Sequence, residues 1–524
     1  MLRVETPRRA ARAFGGGQVV PEKASRKRRF GRRFVLAGAA AIAGVAAGRL
    51  LSFSTNDPGP GFPSEDDKPD GAQAVLNDAS ELSPTPVAKH MVLREPPEAQ
   101  AIEAVRKALA EAQTAGQPFV ANAARHSMGA QSLVKNGAVL TLDQDWLEAD
   151  TTARTYRVAA GTRWSTVIGK LDKIGFSPAV MQSNNDFGVA STFSVNAHGW
   201  PVPFSGCGAT VRSIRLVTAT GELLVCSRTE NAELFKLAMG GYGLFGVITD
   251  LELDMVPNAL LEPTFTHVAG RDLGQRFVEA LAADPSIQMA YGRMDVSLDR
   301  FFDDALLITY RPTADQSSIP SAEGSGLLSY AARDIFRAQV ESDEVKHLRW
   351  WTEARLNPRI VGSASRNSLM NEPVVTLDDK DPGRTDILHE YFISPARFGE
   401  FVAACKAVIP ASYQQLLNIT LRYVNTDRDS VLAYAGEPRI AAVMLFAQEK
   451  TVRGEADMAR MTEALIERVL AIGGSYYLPY RPHARQDQFQ KAYGRAGEFA
   501  AAKRAADPGL LFQNGLWKNY ISKI

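Results

Sequence analysis

The chain has 524 residues, of which 45% are hydrophobic and 22% are charged, so it is long enough for two or three packed units of ordinary globular composition. Its formal net charge is +1, but residues 1–33 carry eleven Arg and Lys against two Glu, and Arg49 adds one more positive charge. Residues 54–524 therefore carry a net charge of −9. An acidic body argues against nucleic acid as a partner, because phosphate binding requires a basic face.

The basic N-terminal arm resembles a twin-arginine export signal. Arg32 and Arg33 precede residues 34–48, which are uncharged and rich in Ala, Val, Ile, Leu and Gly, and residues 55–86 are rich in Pro, Ser and Asp. We expect residues 1–53 to be a signal or anchor and residues 54–87 a disordered linker. The protein is then expected in the periplasm or another extracytoplasmic space, or anchored in the inner membrane. The 15 apolar residues are fewer than the ~20 that span a membrane, so cleavage and anchoring both stay open.

The cysteines Cys207, Cys226 and Cys405 show no CxxC spacing. We therefore expect neither a zinc or other metal site nor a disulfide framework, although one disulfide is compatible with the sequence.

From Ala88 onwards, helix-like and strand-like segments alternate. Apolar residues at helical spacing predict a helix over Glu95–Ala115, and strands are predicted around the polar loop that follows it. The predicted elements of this first unit, residues 88–258, are in chain order strands Pro118–Ala121, Ala138–Leu142 and Tyr156–Ala160, helix Trp164–Ile174, hairpin Val211–Thr218 and Glu222–Cys226, helix Asn231–Met239 and strand Val247–Val256.

Residues 259–478 are predicted to form a second unit, an antiparallel sheet with helices on one side, because strand-like and helix-like segments continue to alternate. The predicted strands are Met289–Val296, Ala305–Tyr310, Ile387–Ile393, Leu417–Val424 and Ile440–Phe446, and the predicted helices are Ile335–Trp351, Phe398–Val408 and Glu455–Ile472. A last helix is predicted over Asp487–Ala505 within the C-terminal segment 479–524. The expected fold class is α+β.

Residues 122–132 form a loop of small and polar residues between two predicted strands. Small side chains let backbone N–H groups approach a pyrophosphate closely, so this loop is a candidate dinucleotide-binding element. His126 would then face the ligand; a surface or hydrogen-bonding histidine is the alternative.

A second polar run covers residues 182–199 and shows no helical or strand period. Runs of this kind inside a domain are usually functional loops. The interleaved Phe187, Val189 and Val195 indicate burial against something polar.

The glycine pattern Gly241-x-Gly243-x-x-Gly246 matches a dinucleotide-binding motif. A Rossmann fingerprint follows a strand and opens a helix, whereas this one follows a predicted helix and opens a predicted strand. We therefore expect these glycines to allow a tight turn or a close backbone approach to a flavin.

These three segments, in this order, resemble the FAD-binding domain of the vanillyl-alcohol oxidase/p-cresol methylhydroxylase superfamily, nearest to its sugar and aldonolactone oxidase and cytokinin dehydrogenase branches. His126-Ser127 matches the element whose histidine carries covalent flavin there, residues 194–199 resemble the second flavin loop, and residues 503–508 and 512–514 resemble the segment that returns to the flavin. The resemblance implies a two-subdomain FAD-binding domain at 88–258, an α/β cap domain with an antiparallel sheet at 259–478 that binds substrate, and covalent FAD on His126.

The resemblance also implies a set of cofactor-binding residues. They are Ala123, Ala124, Arg125, His126, Ser127, Gln131, Ser132, Gly188, Ser191, Ser194, Asn196, His198, Gly243, Gly246, Ile248 and Asn514. Arg125 stands where a glycine usually precedes the histidine. The second loop has no cysteine before Ser194, which argues against a doubly attached flavin.

Catalytic groups are implied on the cap strands. A strand reading Glu-x-Arg supplies them in alditol and aldonolactone oxidases; here it reads Thr420-Leu421-Arg422, so the arginine is kept and the glutamate is lost. Arg422 is expected to hold a substrate oxygen or to stabilise charge, and Glu390, on a neighbouring strand, to act as a base or a hydrogen-bond acceptor. For each, the alternative is a charged strand residue that points to solvent. A lysine expected later in the chain is replaced around Tyr480-Arg481. His198 and His483 are further candidates.

The expected function is that of a FAD-dependent oxidoreductase that moves a hydride from a CH–OH group of a small polar substrate, such as a sugar alcohol or aldonolactone, to flavin N5. O2 or a quinone-type acceptor would reoxidise the flavin. The alternatives are a dehydrogenase or reductase acting on an amine or a C=C bond, and a membrane-tethered binding protein with a decayed flavin fold.

Overall fold

A computed structural model describes residues 74–322, 336–372 and 381–524. The predicted signal, the predicted linker up to residue 73 and Ile335, the first residue of a predicted helix, lie outside these residues. None of the helices in the described ranges combines the length and apolar character needed to cross a bilayer.

The N-terminal part of the described chain contains two small sheets. Strands Ala74–Leu76 and Thr85–Val87 pair antiparallel, and a parallel sheet has the order Lys89–Leu93, Ala138–Leu142, Phe119–Asn122. Helix Ala99–Thr114 makes the crossover that parallel strands require. It buries the apolar stripe that predicted it, including Ile102, Val105 and Leu109.

An antiparallel sheet of six strands follows. Its order is Leu223–Ser227, Val211–Val217, Val247–Pro257, Thr155–Ala159 and Leu147–Asp150, with Phe176–Pro178 pairing with the end of Val247–Pro257. Helices Trp164–Asp172, Val189–Ser194 and Ala232–Ala238 and the 3-10 turn Cys207–Thr210 complete this part. Trp164 is fully buried, and its indole N–H donates to the Thr192 hydroxyl at 2.8 Å, which fixes the helix that carries Ser191 and Ser194.

The largest sheet has eight strands, all of them paired antiparallel. Its order is Ala364–Ser365, Leu260–Ala269, Asp304–Pro312, Met289–Met294, Gln415–Val424, Arg439–Glu449, Arg384–Ile393 and Ser475–Tyr476. The accompanying helical segments are Leu273–Ala283, Asp343–Trp351, the π-helix Thr352–Leu356, Asn357–Ile360, Arg366–Met370, Phe398–Val408 and Val452–Ala471, with 3-10 turns at Gly270–Asp272, Pro395–Arg397 and Ile409–Ala411.

Along the strand Gln415–Val424, apolar side chains lie on one face and polar side chains on the other. Leu421 is fully buried in the core cluster that contains Leu273, Phe277 and Phe398 from the helices. Arg422 instead donates to the backbone carbonyl of His198. Thr420 shares that face and accepts a hydrogen bond from Arg293 at 2.7 Å. The strand alternation therefore places Thr420 and Arg422 on one face and Leu421 on the other, as the sequence predicts.

The C-terminal segment consists of helices Gln486–Ala492, Ala496–Ala506 and Gly515–Asn519 and the turn Ile521–Lys523. Between the last two helices it crosses the edge of the parallel sheet, where Phe119 N donates to Leu511 O at 2.7 Å and Gln513 N donates to Phe119 O at 3.1 Å. Residues 507–515 therefore lie beside the 122–132 loop.

Several local predictions are corrected. Residues 74–87 of the predicted disordered linker are ordered and contain the paired strands Ala74–Leu76 and Thr85–Val87. The predicted helix Asp487–Ala505 is interrupted after Ala492, because Tyr493 leaves helical geometry and its hydroxyl donates to Tyr476 O. The predicted helix Ile335–Trp351 is interrupted: residues 336–337 are helical, a turn follows at 338–341, and a helix runs over Asp343–Trp351. The aperiodic run 182–199 contains the short helix Val189–Ser194, and the strand Leu260–Ala269 was not predicted. All three cysteines are buried and free.

Candidate active site

The loop 122–132 is fastened to residues 478–480, at the start of the C-terminal segment. The Gln131 side-chain amide donates to Leu478 O at 2.6 Å and to Tyr480 O at 2.9 Å, and its oxygen accepts from Gly129 N at 2.8 Å. Met128 N donates to Pro479 O at 2.8 Å. The side chain of Gln131, a predicted cofactor-binding residue, thus shapes the loop.

His126 lies at the tip of this loop and remains partly exposed. Its ring stacks on Phe187 of the second polar run with a centroid separation of 4.3 Å, and its Nε2 lies 3.7 Å from an Asp186 carboxylate oxygen. Ser127 and Ser132 bond each other through their hydroxyls at 3.0 Å, and Arg125 adopts a left-handed φ of 53°. The structure therefore brings the first and second predicted loops together at His126.

The two loops also meet at small residues. A Cβ added to Gly188 would lie 2.7 Å from the Cβ of Ala123 and 3.5 Å from Nη1 of Arg163. That Nη1 atom is buried and has no hydrogen-bond partner. A guanidinium with an open donor beside two small-residue loops fits a pyrophosphate oxygen.

Asn196 has a structural role in the second loop. Its φ is 46°, its side-chain oxygen accepts from Gly208 N at 2.9 Å, and its amide nitrogen donates to Asp427 at 2.9 Å. The hydroxyl of Tyr434 donates to its backbone carbonyl at 2.5 Å. Asn196 therefore uses its polar side-chain atoms to hold the loop.

The glycine turn at 241–246 is the third predicted flavin-binding segment, after the loops 122–132 and 182–199. Gly243 has a φ of +70° and faces open space, since an added Cβ would meet no atom within 4 Å. A Cβ on Gly246 would lie 2.6 Å from Val217 O, so a larger residue does not fit there. A pocket brings four predicted cofactor residues together: it is lined by Ser194, Gly243, Gly246 and Ile248, with Leu216, Ala238, Leu244 and Phe245.

Asn514 joins the C-terminal segment to this glycine turn. Its amide nitrogen donates to Tyr242 O at 2.8 Å and its oxygen accepts from Trp517 N at 3.0 Å, while Gly515 N donates to Ala130 O at 2.8 Å. The first loop, the glycine turn and the C-terminal segment thus surround one region. The small residues, the open space at Gly243 and the unpartnered Arg163 donor fit a bound flavin dinucleotide.

A buried polar network lies where the second loop meets the eight-stranded sheet. His198 Nε2 lies 2.5 Å from one Glu390 carboxylate oxygen, and the Tyr480 hydroxyl donates to the other oxygen at 3.2 Å. Arg422 Nη1 donates to His198 O at 3.3 Å. Both predicted catalytic residues, Arg422 and Glu390, are therefore brought together with His198.

Aromatic residues enclose this network. Phe392, Tyr434 and Tyr477 lie with ring centroids 5.6, 6.0 and 6.2 Å from the His198 ring. Burial raises the pKa of Tyr480 well above its usual value, the Glu390 carboxylate adds to that rise, and the Arg422 guanidinium opposes it. Tyr480 is consequently protonated at neutral pH and is a hydrogen-bond donor.

His483 belongs to a separate cluster. Its Nε2 lies 3.0 Å from Glu455, which also pairs with Arg481, and Arg481 donates to Met128 O at 3.1 Å. Burial lowers the pKa of His483, whereas the His483 and Arg481 contacts lower that of Glu455 against the opposing effect of burial. Of the pair Tyr480-Arg481, only Tyr480 reaches Glu390, while Arg481 supports the first loop.

No sequence pattern predicts that Tyr434, Tyr477 and Tyr480 lie around Glu390. Tyr480 and Glu390 are 90 residues apart and His198 and Glu390 are 192 apart, so no local period links them. The replacement of an expected lysine near Tyr480 was the one available signal.

Comparison with known proteins identifies part of the chain. The FAD binding domain family matches residues 98–227. Cytokinin dehydrogenase 2 of Arabidopsis thaliana is 33% identical over 133 residues, which are 24% of this chain and 25% of that protein. Alditol oxidase of a Streptomyces species is 34% identical over 124 residues, 23% of this chain and 29% of that protein. L-gulonolactone oxidase of Bos taurus is 29% identical over 118 residues, 22% of this chain and 27% of that protein.

The chain thus spans about a quarter of the length of the curated relatives it matches. The matched region contains the 122–132 loop and the 182–199 loop. Residues 98–227 are therefore a FAD binding domain of the p-cresol methylhydroxylase type, and the relatives that share this region are FAD-linked oxidases and dehydrogenases.

Proposed function

We propose that the protein oxidises a CH–OH group of a small polar substrate, of the sugar-alcohol or aldonolactone class, with FAD as the hydride acceptor. The observation that carries the proposal is the buried His198–Glu390–Tyr480 network with Arg422, set against the loops of the FAD binding domain. Alditol oxidase and L-gulonolactone oxidase among the relatives support this substrate class.

When bound, FAD accepts the hydride, and with it two electrons, from the substrate C–H bond. The protein must position the substrate and take up the hydroxyl proton. Arg422 is suited to hold the substrate oxygen, because its guanidinium has a buried Nε without a partner and no carboxylate partner among the described residues. Glu390 and its hydrogen-bond partners are suited to manage the proton.

Each sheet has a separate proposed role in binding the cofactor or the substrate. In this proposal the parallel and six-stranded sheets are the two subdomains of the FAD-binding domain at 88–258, the eight-stranded sheet is the substrate-binding cap at 259–478, and residues 479–524 return to the flavin. FAD would lie along Ala123–Ser132, Gly188–His198 and Gly243–Ile248, with Arg163 near its pyrophosphate.

Covalent attachment through His126 is part of the proposal, and it rests on the position of that histidine at the meeting point of the two loops. The test is an absorbance spectrum of native and acid-precipitated protein. The wild-type pellet should stay yellow and the His126→Ala pellet should be colourless. A coloured His126→Ala pellet contradicts attachment at this residue.

A substrate screen tests the activity itself. Alditols and aldonolactones, mixed anaerobically with the protein, should bleach the flavin absorbance, and air or a soluble quinone should restore it. The faster of the two reoxidations identifies the acceptor class. Bleaching by amines but by no alcohol contradicts the proposed substrate class.

We further propose that the protein is exported by the twin-arginine route, on the strength of Arg32-Arg33 and the apolar residues 34–48. Replacing both arginines with lysine should leave folded, flavin-loaded protein in the cytoplasm, as measured by cell fractionation. Unchanged export of that double variant contradicts this route.

A further inference from the structure

The four members of the polar network differ in access. Glu390 is 3% exposed and His198 is 4% exposed, whereas Tyr480 and Arg422 are only partly buried. Tyr480 and Arg422 are therefore the members of the network that keep some exposure. The Glu390 carboxylate lies one hydrogen bond deeper, behind Tyr480.

We propose that the substrate proton enters the protein at the Tyr480 hydroxyl and is stored on the buried His198–Glu390 pair. This inference rests on the proposed function and adds the route of the proton to it. Tyr480 is then a catalytic residue, and Glu390 and His198 act through it.

The substrate O–H bond breaks and its proton bonds to the Tyr480 oxygen, while the Tyr480 proton passes to the Glu390 oxygen that already accepts its hydrogen bond. The electron pair of the substrate O–H bond becomes the second bond of the carbonyl group. The substrate C–H pair leaves as hydride to FAD, so the alcohol is oxidised and FAD is reduced.

Contacts around Glu390 single out Tyr480 as the entry point. His198 from the second loop and the Tyr480 hydroxyl contact the Glu390 carboxylate, and Arg422 lies next to Tyr480. Tyr242, Tyr434, Tyr477 and Tyr493 lie close enough to Glu390 to interact with it electrostatically. Tyr434 and Tyr477 donate to the carbonyls of Asn196 and Val195. Among the described residues, Tyr480 is the tyrosine that bonds the carboxylate.

His198 gives the pair its capacity to hold the proton. Its Nε2 lies 2.5 Å from Glu390, while its Nδ1 is buried and has no hydrogen-bond partner. Arg422 lies next to Tyr480 without a carboxylate partner among the described residues. Its charge stabilises the oxygen anion that develops as the proton moves.

The test compares Tyr480→Phe with a matched control, Tyr423→Phe. Tyr423 follows Arg422 by one position but lies on the helix-covered face, where its ring stacks near Phe277. Losing a general base or proton donor typically costs 10²–10⁴-fold in rate. We expect Tyr480→Phe to slow anaerobic flavin reduction by a substrate about 100-fold, with unchanged dithionite reduction, and Tyr423→Phe to match the wild type.

A second readout does not depend on activity. Histidine side-chain nitrogen resonances report the surroundings of His198 Nε2, which lies 2.5 Å from Glu390, and loss of one signal in His198→Asn assigns it among the seven histidines. Tyr480→Phe removes a hydrogen bond to the carboxylate, and Glu390→Gln removes its negative charge. At one fixed pH, each variant should therefore shift the His198 side-chain nitrogen resonances, whereas Tyr423→Phe should leave them unchanged.

The outcomes separate the two proposals. If no alcohol reduces the flavin in the wild type, the proposed function fails, while the NMR shifts still report on the network. If alcohols reduce the flavin but Tyr480→Phe reduces it within about twofold of the wild type, far below the effect of a lost general base, the proton route is wrong. The route is also wrong if neither Tyr480→Phe nor Glu390→Gln shifts the His198 side-chain resonances.

Discussion

The strand Gln415–Val424 presents different side chains to the two faces of the eight-stranded sheet. Towards the helices it buries Ile419 and Leu421 completely among Leu273, Phe277 and Phe398. Towards the second loop it presents Thr420 and Arg422, which bond Arg293 and the His198 carbonyl. One strand therefore contributes an apolar core on one side and part of a polar site on the other.

The neighbouring strands follow the same division. Cross-strand register aligns Arg293, Thr420, Val443 and Glu390 in one row of the second face. Burial of apolar area on the helix face stabilises the fold by about 25 cal/mol per Å². Burial of Glu390 on the other face costs free energy unless it is paired. The helix face therefore stabilises the sheet through buried apolar side chains, and the second face carries the polar side chains of the candidate site.

The largest expected effect on the polar face comes from Glu390→Gln. The amide keeps the shape of the side chain but cannot take a proton, so flavin reduction should slow by about a thousandfold, within the usual range for general acid–base groups. Stopped-flow reduction with a working substrate measures it. A thermal melt serves as the control, since a large fall in melting temperature would mean that the carboxylate mainly holds the fold.

On the apolar face, Leu421→Ala should have the opposite signature. Removal of a fully buried leucine side chain leaves a cavity and typically costs about 3 kcal/mol. Denaturant unfolding measures the free energy of unfolding, and flavin reduction in the folded variant should match the wild type. A rate loss without a stability loss would break the proposed division between the two faces.

Arg422→Ala tests the same strand one position further on. Loss of a charge-assisted contact made mainly in the transition state costs about 3 kcal/mol, or roughly a hundredfold in rate. The flavin spectrum and the melting temperature should stay nearly unchanged. A variant that reduces within about twofold of the wild type would remove Arg422 from the site.

The smallest expected effect is a pH dependence of stability from His389, a polar residue on the helix face. Its Nε2 lies 3.1 Å from the Thr462 hydroxyl, and burial lowers its pKa well below the usual range. His483, Glu455 and Arg481 face it. The unfolded chain binds a proton more readily than the folded one, so this stability is complete above about pH 6.5 and is lost as the pH falls through that value.

The melting temperature should therefore be lower at pH 5.5 than at pH 7.5. His389→Asn should show a smaller difference between the two pH values than the wild type does. An equal difference in both proteins would assign the pH dependence to other groups, of which His483, also held neutral by burial, is the first to test.

Local periodicity was enough to predict much of the framework. The strand Ala138–Leu142 and the helix Phe398–Val408 have the predicted bounds, and alternation placed Thr420 and Arg422 on a common face. Side-chain period and helix spacing depend on residues within a few positions of one another, so the sequence contains this information directly. The candidate flavin-binding segments 122–132, 182–199 and 241–246 also stand out in the sequence, because small residues and glycines let a backbone approach a ligand closely.

The tertiary structure alone decided which polar groups meet. Tyr480 bonds Glu390 across 90 residues, His198 approaches Glu390 across 192, and Arg481 turns away to support the first loop. It also ended the helix at Ala492, where Tyr493 bonds the Tyr476 carbonyl instead of continuing the helix. Contacts between distant segments depend on how sheets and loops pack in space, and no spacing within one segment encodes that packing.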